Sequence, residues 1–514
     1  MYSNNKKHAI ERIILIMILF SIQIIWFIFL FTNIIQYSIW MNVFLLIFSL
    51  VMILYLVRKN ESPAYRMGWI SLIALFPLLG GLLYLLFGNK RPTKKMKQQI
   101  YNQIPKQIHE LKQIESPIET LRKIDSRLAG LSHYLLSYES MPVFSNTKVD
   151  YYANGESVID QMIKDILTAE RYIFVEFFII DYGQMFDKIF DALKKKAKQG
   201  IEIRLIYDDF GCITRLPKDF DQVCESYGIK VVKFNPVKPI ISLVYNTRDH
   251  RKFIIIDGNI GYTGGMNLAD EYINEIERFG YWKDNMIRME GPATWGITNL
   301  FLQMWNAFYS IKDISYRKFR SWSCNEMLND NNDLGYIQSF GDSPLDEEAL
   351  GENIYRDLID MAEKEVCIYT PYLVISYELQ TSLELAAKRG VNVRLMTPGI
   401  PDKPIIFRIT RSYYRPLLDA GCEIYEYSPG FLHAKTIIID QKIAMVGTIN
   451  LDYRSLFLHF ETATLLYYHP VVKEIHSDFE ESRSLSDKVS FNELNQSIFG
   501  EMIDSILRLF APFV

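Results

Sequence analysis

The 514-residue sequence predicts an α/β fold in which an N-terminal membrane-helical region precedes two duplicated halves, each an α/β sandwich. Three observations predict it. Two apolar runs, 13–31 and 39–57, are each long enough to cross the roughly 30 Å hydrocarbon layer of a bilayer as a helix. A helix–strand phrase recurs: Ala197-Lys-Gln-Gly-Ile-Glu-Ile-Arg-Leu205 returns as Ala387-Lys-Arg-Gly-Val-Asn-Val-Arg-Leu395, and Tyr227-Gly-Ile-Lys-Val231 as Ala420-Gly-Cys-Glu-Ile424. A polar motif recurs with it. His250, Lys252, Asp257, Gly264, Gly265 and Asn267 are matched at identical offsets by His433, Lys435, Asp440, Gly447, Thr448 and Asn450. Chance explains one such motif in a chain of this length; two with the same trailing residues point to duplication.

The membrane region is expected at 1–97. Its first run is not read as a signal peptide, because a second span follows with no small-residue cleavage pattern between them. A third apolar run, 67–87, contains Pro77, Gly80 and Gly81 and is expected to be bent, re-entrant or interfacial rather than a straight span. Lys6, Lys7 and Arg12 precede the first span, 32–38 carries no charge, and Arg58, Lys59 and Arg66 follow the second. The positive-inside rule then puts both the N-terminus and the chain after two crossings in the cytoplasm. Lys90, Arg91, Lys94, Lys95 and Lys97 also belong inside, and they can attract anionic headgroups. The expectation is a multi-pass cell-membrane protein with a cytoplasmic catalytic region; three full spans with an external one is the alternative.

Residues 98–136 are polar and helix-prone and read as a connector. The halves are expected at 137–325 and 326–514, each running helix, strand, helix, strand, helix, strand and then the motif strand. Phe253 to Ile256 and Thr436 to Ile439 are β-branched and apolar enough for buried strands. On an extended strand His250 and Lys252 point the same way, as do His433 and Lys435. Asp257 and Asp440 fall on the opposite parity, suited to orienting the following turn. The Gly264-Gly265 and Gly447-Thr448 turns permit close approach of backbone to an anion, and Asn267 and Asn450 can donate to it. At the C-terminus, Leu494, Ile498, Met502, Ile503, Ile506, Leu509 and Phe510 form a helical stripe expected to dock on the second half.

Two imidazoles and two ammonium groups brought to one point suit a phosphodiester. The lysines neutralise phosphoryl oxygens, one neutral His attacks phosphorus, and the other, protonated, hands a proton to the leaving alcohol. Such a site needs no metal or other cofactor. The five cysteines lack C-x-x-C spacing and suggest neither disulfides nor a metal site. The net charge of -4 argues against a general nucleic-acid binder, and 49% apolar residues are many for a wholly soluble protein.

The paired H-x-K-x4-D motifs resemble the phospholipase D superfamily. More narrowly, the chain is similar to bacterial cardiolipin synthases in Ser71 to Gly88, Phe174-Val-Glu-Phe-Phe178, Gly264-Gly-Met-Asn-Leu-Ala-Asp270, Gly280-Tyr-Trp-Lys-Asp284, Tyr369-Thr-Pro-Tyr372 and Gly447-Thr-Ile-Asn-Leu-Asp-Tyr-Arg-Ser455. It departs from them at Asp249, at His459 and at Leu373 to Ser376. The resemblance implies two phospholipase D-like halves face to face with pseudo-twofold symmetry, His250 and His433 in a shared cleft, and His250 as nucleophile. The catalytic set expected is His250, Lys252, Asp257, His433, Lys435 and Asp440.

A catalytic imidazole needs a partner on its other ring nitrogen. Asp284 and Glu461 are the candidates, one for each His and across the halves by resemblance. Glu461 lies beside the apolar stretch Leu456 to Phe460, where an unpaired carboxylate is costly. Glu176, enclosed by Val175, Phe177 and Phe178, is open to an orienting role or a structural hydrogen bond, and His459 is expected to be a packing residue. The implied reaction moves a phosphatidyl group from one phosphatidylglycerol to another, giving cardiolipin and glycerol. The alternatives are a membrane phospholipase D using water, a tethered nuclease, and a scaffold that binds anionic lipid. Oligomeric state leaves no mark in the sequence.

Overall fold

The structure, a computed structural model, describes residues 21, 25, 35–59, 61–88, 93–104, 111, 115–237, 246–321, 334–345, 348–495 and 497–513. The run 13–31 lies outside the described residues, save 21 and 25. The second run forms α1 (Ile35–Arg58), whose 24 residues extend about 36 Å at 1.5 Å per residue. Trp40, Phe44, Leu46, Leu50 and Leu54 on it are exposed. A core helix of a soluble protein would bury them, so α1 is a lipid-facing helix and associates the protein with a membrane. Among the described residues it is the one helix long and apolar enough to span.

The third run is broken in the middle. Helix α2 (Pro63–Leu75) stops before Phe76 and α3 (Pro77–Phe87) starts with Pro77, which is tolerated at a first helical position but not inside a helix. The chain then folds back on itself. A Cβ on Gly80 would lie 2.7 Å from the Leu72 carbonyl oxygen, whereas eight residues of straight helix separate such positions by about 12 Å. Glycine at 80 permits this approach, and neither arm, at 13 and 11 residues, reaches across a bilayer. Tyr65 and Trp69 of this hairpin join Met52 and Leu56 of α1 and Tyr453 and Leu458 of the second half in one buried cluster. The membrane elements are therefore packed directly onto the α/β body.

The first half contains β1 (Lys148–Tyr152), β2 (Tyr172–Phe177), β3 (Glu202–Asp208), β4 (Lys230–Phe234), β5 (Arg248–Asp249), β6 (Phe253–Ile256), β7 (Ile260–Gly264), β8 (Tyr281–Lys283) and β9 (Met286–Glu290). Seven of them form a mixed sheet in the order β1-β9-β7-β6-β2-β3-β4. Alternation sorts the side chains. Ile173, Val175, Ile254 and Ile256 pack with Val158, Met162, Ile189 and Leu193 of the helices Gly155–Thr168 and Gln184–Lys198. Tyr172, Phe174, Phe253 and Ile255 face the other way, into a core that continues through helix Thr294–Phe308 into the second half.

That half contributes β10 (Tyr336–Asp342), β11 (Glu365–Tyr369), β12 (Asn392–Pro398), β13 (Glu423–Tyr427), β14 (Gly430–Leu432), β15 (Thr436–Ile439), β16 (Ile443–Gly447), β17 (His459–Tyr467) and β18 (Ser486–Lys488). Its order, β10-β17-β16-β15-β11-β12-β13-β18, repeats the first sheet strand for strand and adds an edge. The strands left over join the halves: β5 pairs with β17, and β8 with β14, both parallel.

Residues 98–136 do more than connect. Helices Glu115–Ile124 and Ser126–Glu139 bury Ile118, Leu121, Leu128, Leu131 and Leu135 in the second half's core. Gln338 on β10 donates to the Ser132 and Met141 carbonyls at 3.1 and 2.8 Å, and Phe144 bridges to Ile337. The first half's own sheet begins at Lys148. The C-terminal segment forms helix Ile498–Phe510, which docks on helix Pro404–Ser412 of the second half and also on α2, but Ile498, Met502 and Ile506 of the expected stripe face away and stay exposed.

Candidate active site

Both histidines follow directly on the strands that cross between the halves. In the β14–β8 ribbon Leu432 pairs with Lys283, so the next residues, His433 and Asp284, come level. In the β5–β17 ribbon Asp249 pairs with Phe460, which brings His250 level with Glu461. The register is pinned by His433 N–H donating to the Lys283 carbonyl at 2.7 Å and His250 N–H to the Phe460 carbonyl at 2.8 Å. Each half therefore supplies the carboxylate for the other half's imidazole. The histidines and lysines precede β6 and β15, so their orientation is set by these ribbons and not by the extended-strand alternation expected from the sequence.

His250 Nδ1 lies 2.8 and 3.0 Å from the two Glu461 carboxylate oxygens, and His433 Nδ1 lies 2.6 Å from Asp284 Oδ2. A carboxylate accepts only, which places the proton on Nδ1 and leaves the Nε2 lone pair of each ring free. Glu461 also accepts from Thr448 Oγ1 and, at 2.7 Å, from Ser455 Oγ; Asp284 Oδ1 accepts the Asn285 N–H at 2.8 Å. Burial acts to raise both acids, but the His250 and His459 rings beside Glu461, and the Lys435 ammonium and the His433 ring beside Asp284, outweigh it and hold both below the usual carboxylate range. Burial pushes His250 down to about 3 and His433 to about 4, so both imidazoles are neutral. It also pushes Lys252 down to about 7 and Lys435 to about 8. An arriving phosphodiester anion opposes these shifts and favours protonated lysines and one imidazolium.

Lys252 donates to the His250 carbonyl at 2.5 Å and Lys435 to the His433 carbonyl; Lys435 Nζ also sits 2.8 Å from His433 Nδ1. Phe178 packs edge-on to His250 at 5.1 Å, while Tyr272, Trp282 and Phe431 surround His433 at 5.5–5.8 Å. Thr448 belongs to the repeated motif, and Phe178, Trp282 and Ser455 to segments that carry the resemblance; Tyr272 and Phe431 are brought to the site by the fold alone.

Four expectations need correction. Asp257 and Asp440 stand at the far ends of β6 and β15, about 16 Å of extended chain from the lysines. There each accepts three backbone N–H groups, Glu170, Arg171 and Tyr172 at 2.7–2.8 Å and Glu363, Lys364 and Glu365 at 2.7–2.9 Å. They fix the entry to the central strands and touch no reacting group. Asn267 is engaged inside its own half, accepting from Ile179 N–H at 3.0 Å and donating to the Tyr272 hydroxyl at 2.6 Å. Asn450, its counterpart, keeps a buried Oδ1 without a partner. The anion approached by Gly264-Gly265 is a carboxylate of the protein: a Cβ on Gly265 would lie 2.1 Å from Asp284 Oδ1. His459 is more than packing, since its Nδ1 is 3.4 Å from Glu461 Oε1. Glu176 forms a buried ion pair with Arg251 at 2.6 Å.

Among the described residues, His250, His459 and Glu461, and separately Glu365, Cys367 and His476, bring three ligating atoms within 4.8 Å of one another. A cation at the first would compete with the ammonium groups that act on Glu461, and at the second with Arg394, 3.2 Å from Cys367 Sγ. A cavity of about 380 Å³ opens beside His459, lined by Glu61, Asp342, Glu348, Glu352 and Glu378 with Arg356. Its acidity repels a phosphodiester.

The family described as "Cardiolipin synthase, PLD-like domain" matches residues 162–305 and 355–483, and "Phospholipase D-nuclease N-terminal" matches 44–89. The chain is 39% identical to an uncharacterized protein of Streptococcus mutans serotype c over 90% of this chain and 99% of that one. It is 31% identical to cardiolipin synthase 1 of Bacillus anthracis over 89% and 90%. Among solved structures, a phosphatidylserine synthase of Haemophilus influenzae shares the fold at a TM-score of 0.55 and 14% identity, covering 74% of this chain and 97% of that one. With one matched stretch in each half, and a relative of that name aligned over nine-tenths of its length, the chain belongs to the cardiolipin synthase family of phospholipase D-like proteins.

Proposed function

We propose that this protein is a membrane-bound phosphatidyltransferase that makes cardiolipin from two molecules of phosphatidylglycerol. The observation that carries the reading is the crossed pair of buried imidazole–carboxylate contacts, His250–Glu461 and His433–Asp284, flanked by Lys252 and Lys435 and packed beside the membrane hairpin. His250 is taken as the nucleophile on resemblance. Its Nε2 attacks phosphorus while the P–O bond to glycerol breaks, and His433, protonated at Nε2, gives that proton to the departing oxygen. A hydroxyl of the second phosphatidylglycerol then passes its proton to His433 and attacks the phosphohistidine, and the N–P bond breaks to restore His250. Atoms and protons balance over the cycle, and no water enters. Lys252 and Lys435 hold the phosphoryl oxygens, and Glu461 and Asp284 orient the rings.

The first span at 13–31, two crossings, and a cytoplasmic body of two halves, 137–325 and 326–514, complete the proposal. The test is product identity. Purified protein in vesicles of glycerol-labelled phosphatidylglycerol should release glycerol and form cardiolipin, and excess glycerol should drive cardiolipin back to phosphatidylglycerol. Phosphatidic acid as the main product at every glycerol concentration would mean that water is the acceptor and the protein a hydrolase.

A further inference from the structure

The C-terminal helix Ile498–Phe510 folds one side onto the protein and leaves the other bare. At 100° per residue, Ile498, Phe499, Met502 and Ile506 fall within one 100° arc, and all four are exposed, Ile498 by 80% and Phe499 by 71%. The polar side is used up in docking: Asp504 accepts from Arg408 Nε at 2.6 Å, Glu501 pairs with Arg415 at 3.5 Å, and Arg508 stacks 4.2 Å over Tyr413. A solvent-facing arc of four large apolar side chains is costly on a protein surrounded by water.

Two observations identify what covers it. The helix end is joined to the membrane elements: Phe513 packs edge-on against Tyr65 at 5.1 Å and Trp69 at 4.9 Å, and a Cβ on Gly68 of α2 would lie 2.9 Å from the Leu509 carbonyl oxygen. The neighbouring helix Pro404–Ser412 adds exposed Ile405 together with Lys403, Arg408, Arg411 and, just beyond it, Arg415. Large apolar side chains bordered by ion-paired basic residues, continuous with a hairpin that packs against a lipid-facing helix, match the headgroup level of a bilayer.

We propose that Ile498–Phe510 and Pro404–Ser412 form a second membrane contact, an interfacial platform that lies on the anionic lipid surface with Phe499, Met502 and Ile506 among the upper acyl carbons. The platform reaches the cleft rim, because Thr410 Oγ1 accepts the Leu373 N–H at 3.1 Å and Tyr372 donates to Asp402 at 2.8 Å beside Phe431. It would hold the cleft mouth at the depth of lipid phosphates.

Spin labels on the full chain in phosphatidylglycerol vesicles test this, with Cys324→Ser removing the cysteine outside the described residues; the other four are buried. Labels at Phe499→Cys and Met502→Cys should collide several-fold more with lipid-soluble oxygen than with an aqueous nickel chelate, and a label at Glu501→Cys should show the reverse. Labels at 499 and 502 that read as aqueous, or that are shielded from both reagents by protein, would overturn the proposal. The readout does not depend on turnover, so the assignment of the reaction stands or falls separately.

Discussion

Replacing Glu461 by Gln isolates the electrostatic part of the crossed arrangement. The side chain keeps its volume and an oxygen for the His250 Nδ1–H, so packing within the fully buried site changes little. What disappears is the negative charge. With Nδ1 and Oε2 2.8 Å apart, the centres of the carboxylate and of a ring carrying positive charge lie about 4 Å apart, which is about 4 kcal/mol at an effective dielectric of about 20. That interaction is absent for the neutral ring and grows as Nε2 bonds to phosphorus. It therefore lowers the barrier, and its loss should slow turnover about a thousandfold. The Thr448 and Ser455 hydroxyls can rotate to serve an amide, so the stability cost should be about 1–3 kcal/mol, seen as a modest fall in melting temperature. The assay is the initial rate of cardiolipin formation in phosphatidylglycerol vesicles, with circular dichroism to verify the fold. A folded Glu461→Gln protein within tenfold of the parent rate would refute the argument.

Asp257→Ala and Asp440→Ala should each lower the melting temperature by leaving three N–H groups without their acceptor, about 2 kcal/mol or more, while turnover of the folded fraction stays within a few-fold; severe loss of rate in a stable variant would return them to the chemistry. Acid should destabilise the fold. Both imidazoles have depressed values, so the unfolded chain takes up protons below about 6.5 where the folded chain does not until about 4 for His433 and about 3 for His250. Stability present above pH 6.5 is then lost as pH falls through that window, by about 3 kcal/mol for His433 and about 5 kcal/mol for His250, and His250→Asn with His433→Asn should flatten the melting-temperature profile between pH 6.5 and 4. With ammonium groups holding the phosphate, activity should survive an excess of EDTA; complete loss restored by one divalent ion would assign a metal to the His250, His459 and Glu461 cluster.

The motif residues and both central strands are legible because their signals are local. Four β-branched or aromatic residues in a row give Phe253–Ile256 and Thr436–Ile439, and Pro77 with Gly80 gives the break in the third apolar run. The crossed carboxylates were legible as residue types, Glu461 beside the apolar stretch Leu456 to Phe460 and Asp284 at the end of the segment Gly280 to Asp284 that carries the resemblance. Their register was not: Tyr281–Lys283 and Gly430–Leu432 are three-residue strands paired 149 positions apart, and no local propensity encodes that contact. Strand parity already turned Asp257 away from His250 and Lys252, and only the resemblance placed it in the catalytic set; its three backbone donors come from a strand entry that the fold brings beside it. The helices at 115–139 were underrated because their outward face is polar, which masks the leucines that reach the core.

The central claim is a double displacement through a phosphohistidine, and the configuration at phosphorus reports on it most directly. Phosphatidylglycerol made chiral at phosphorus with one sulfur in place of oxygen is converted to the corresponding cardiolipin, and the product's configuration is assigned by phosphorus NMR. Two successive in-line displacements, first by an imidazole and then by the acceptor hydroxyl, predict overall retention. Inversion would mean a single direct transfer between lipids, and would contradict the account.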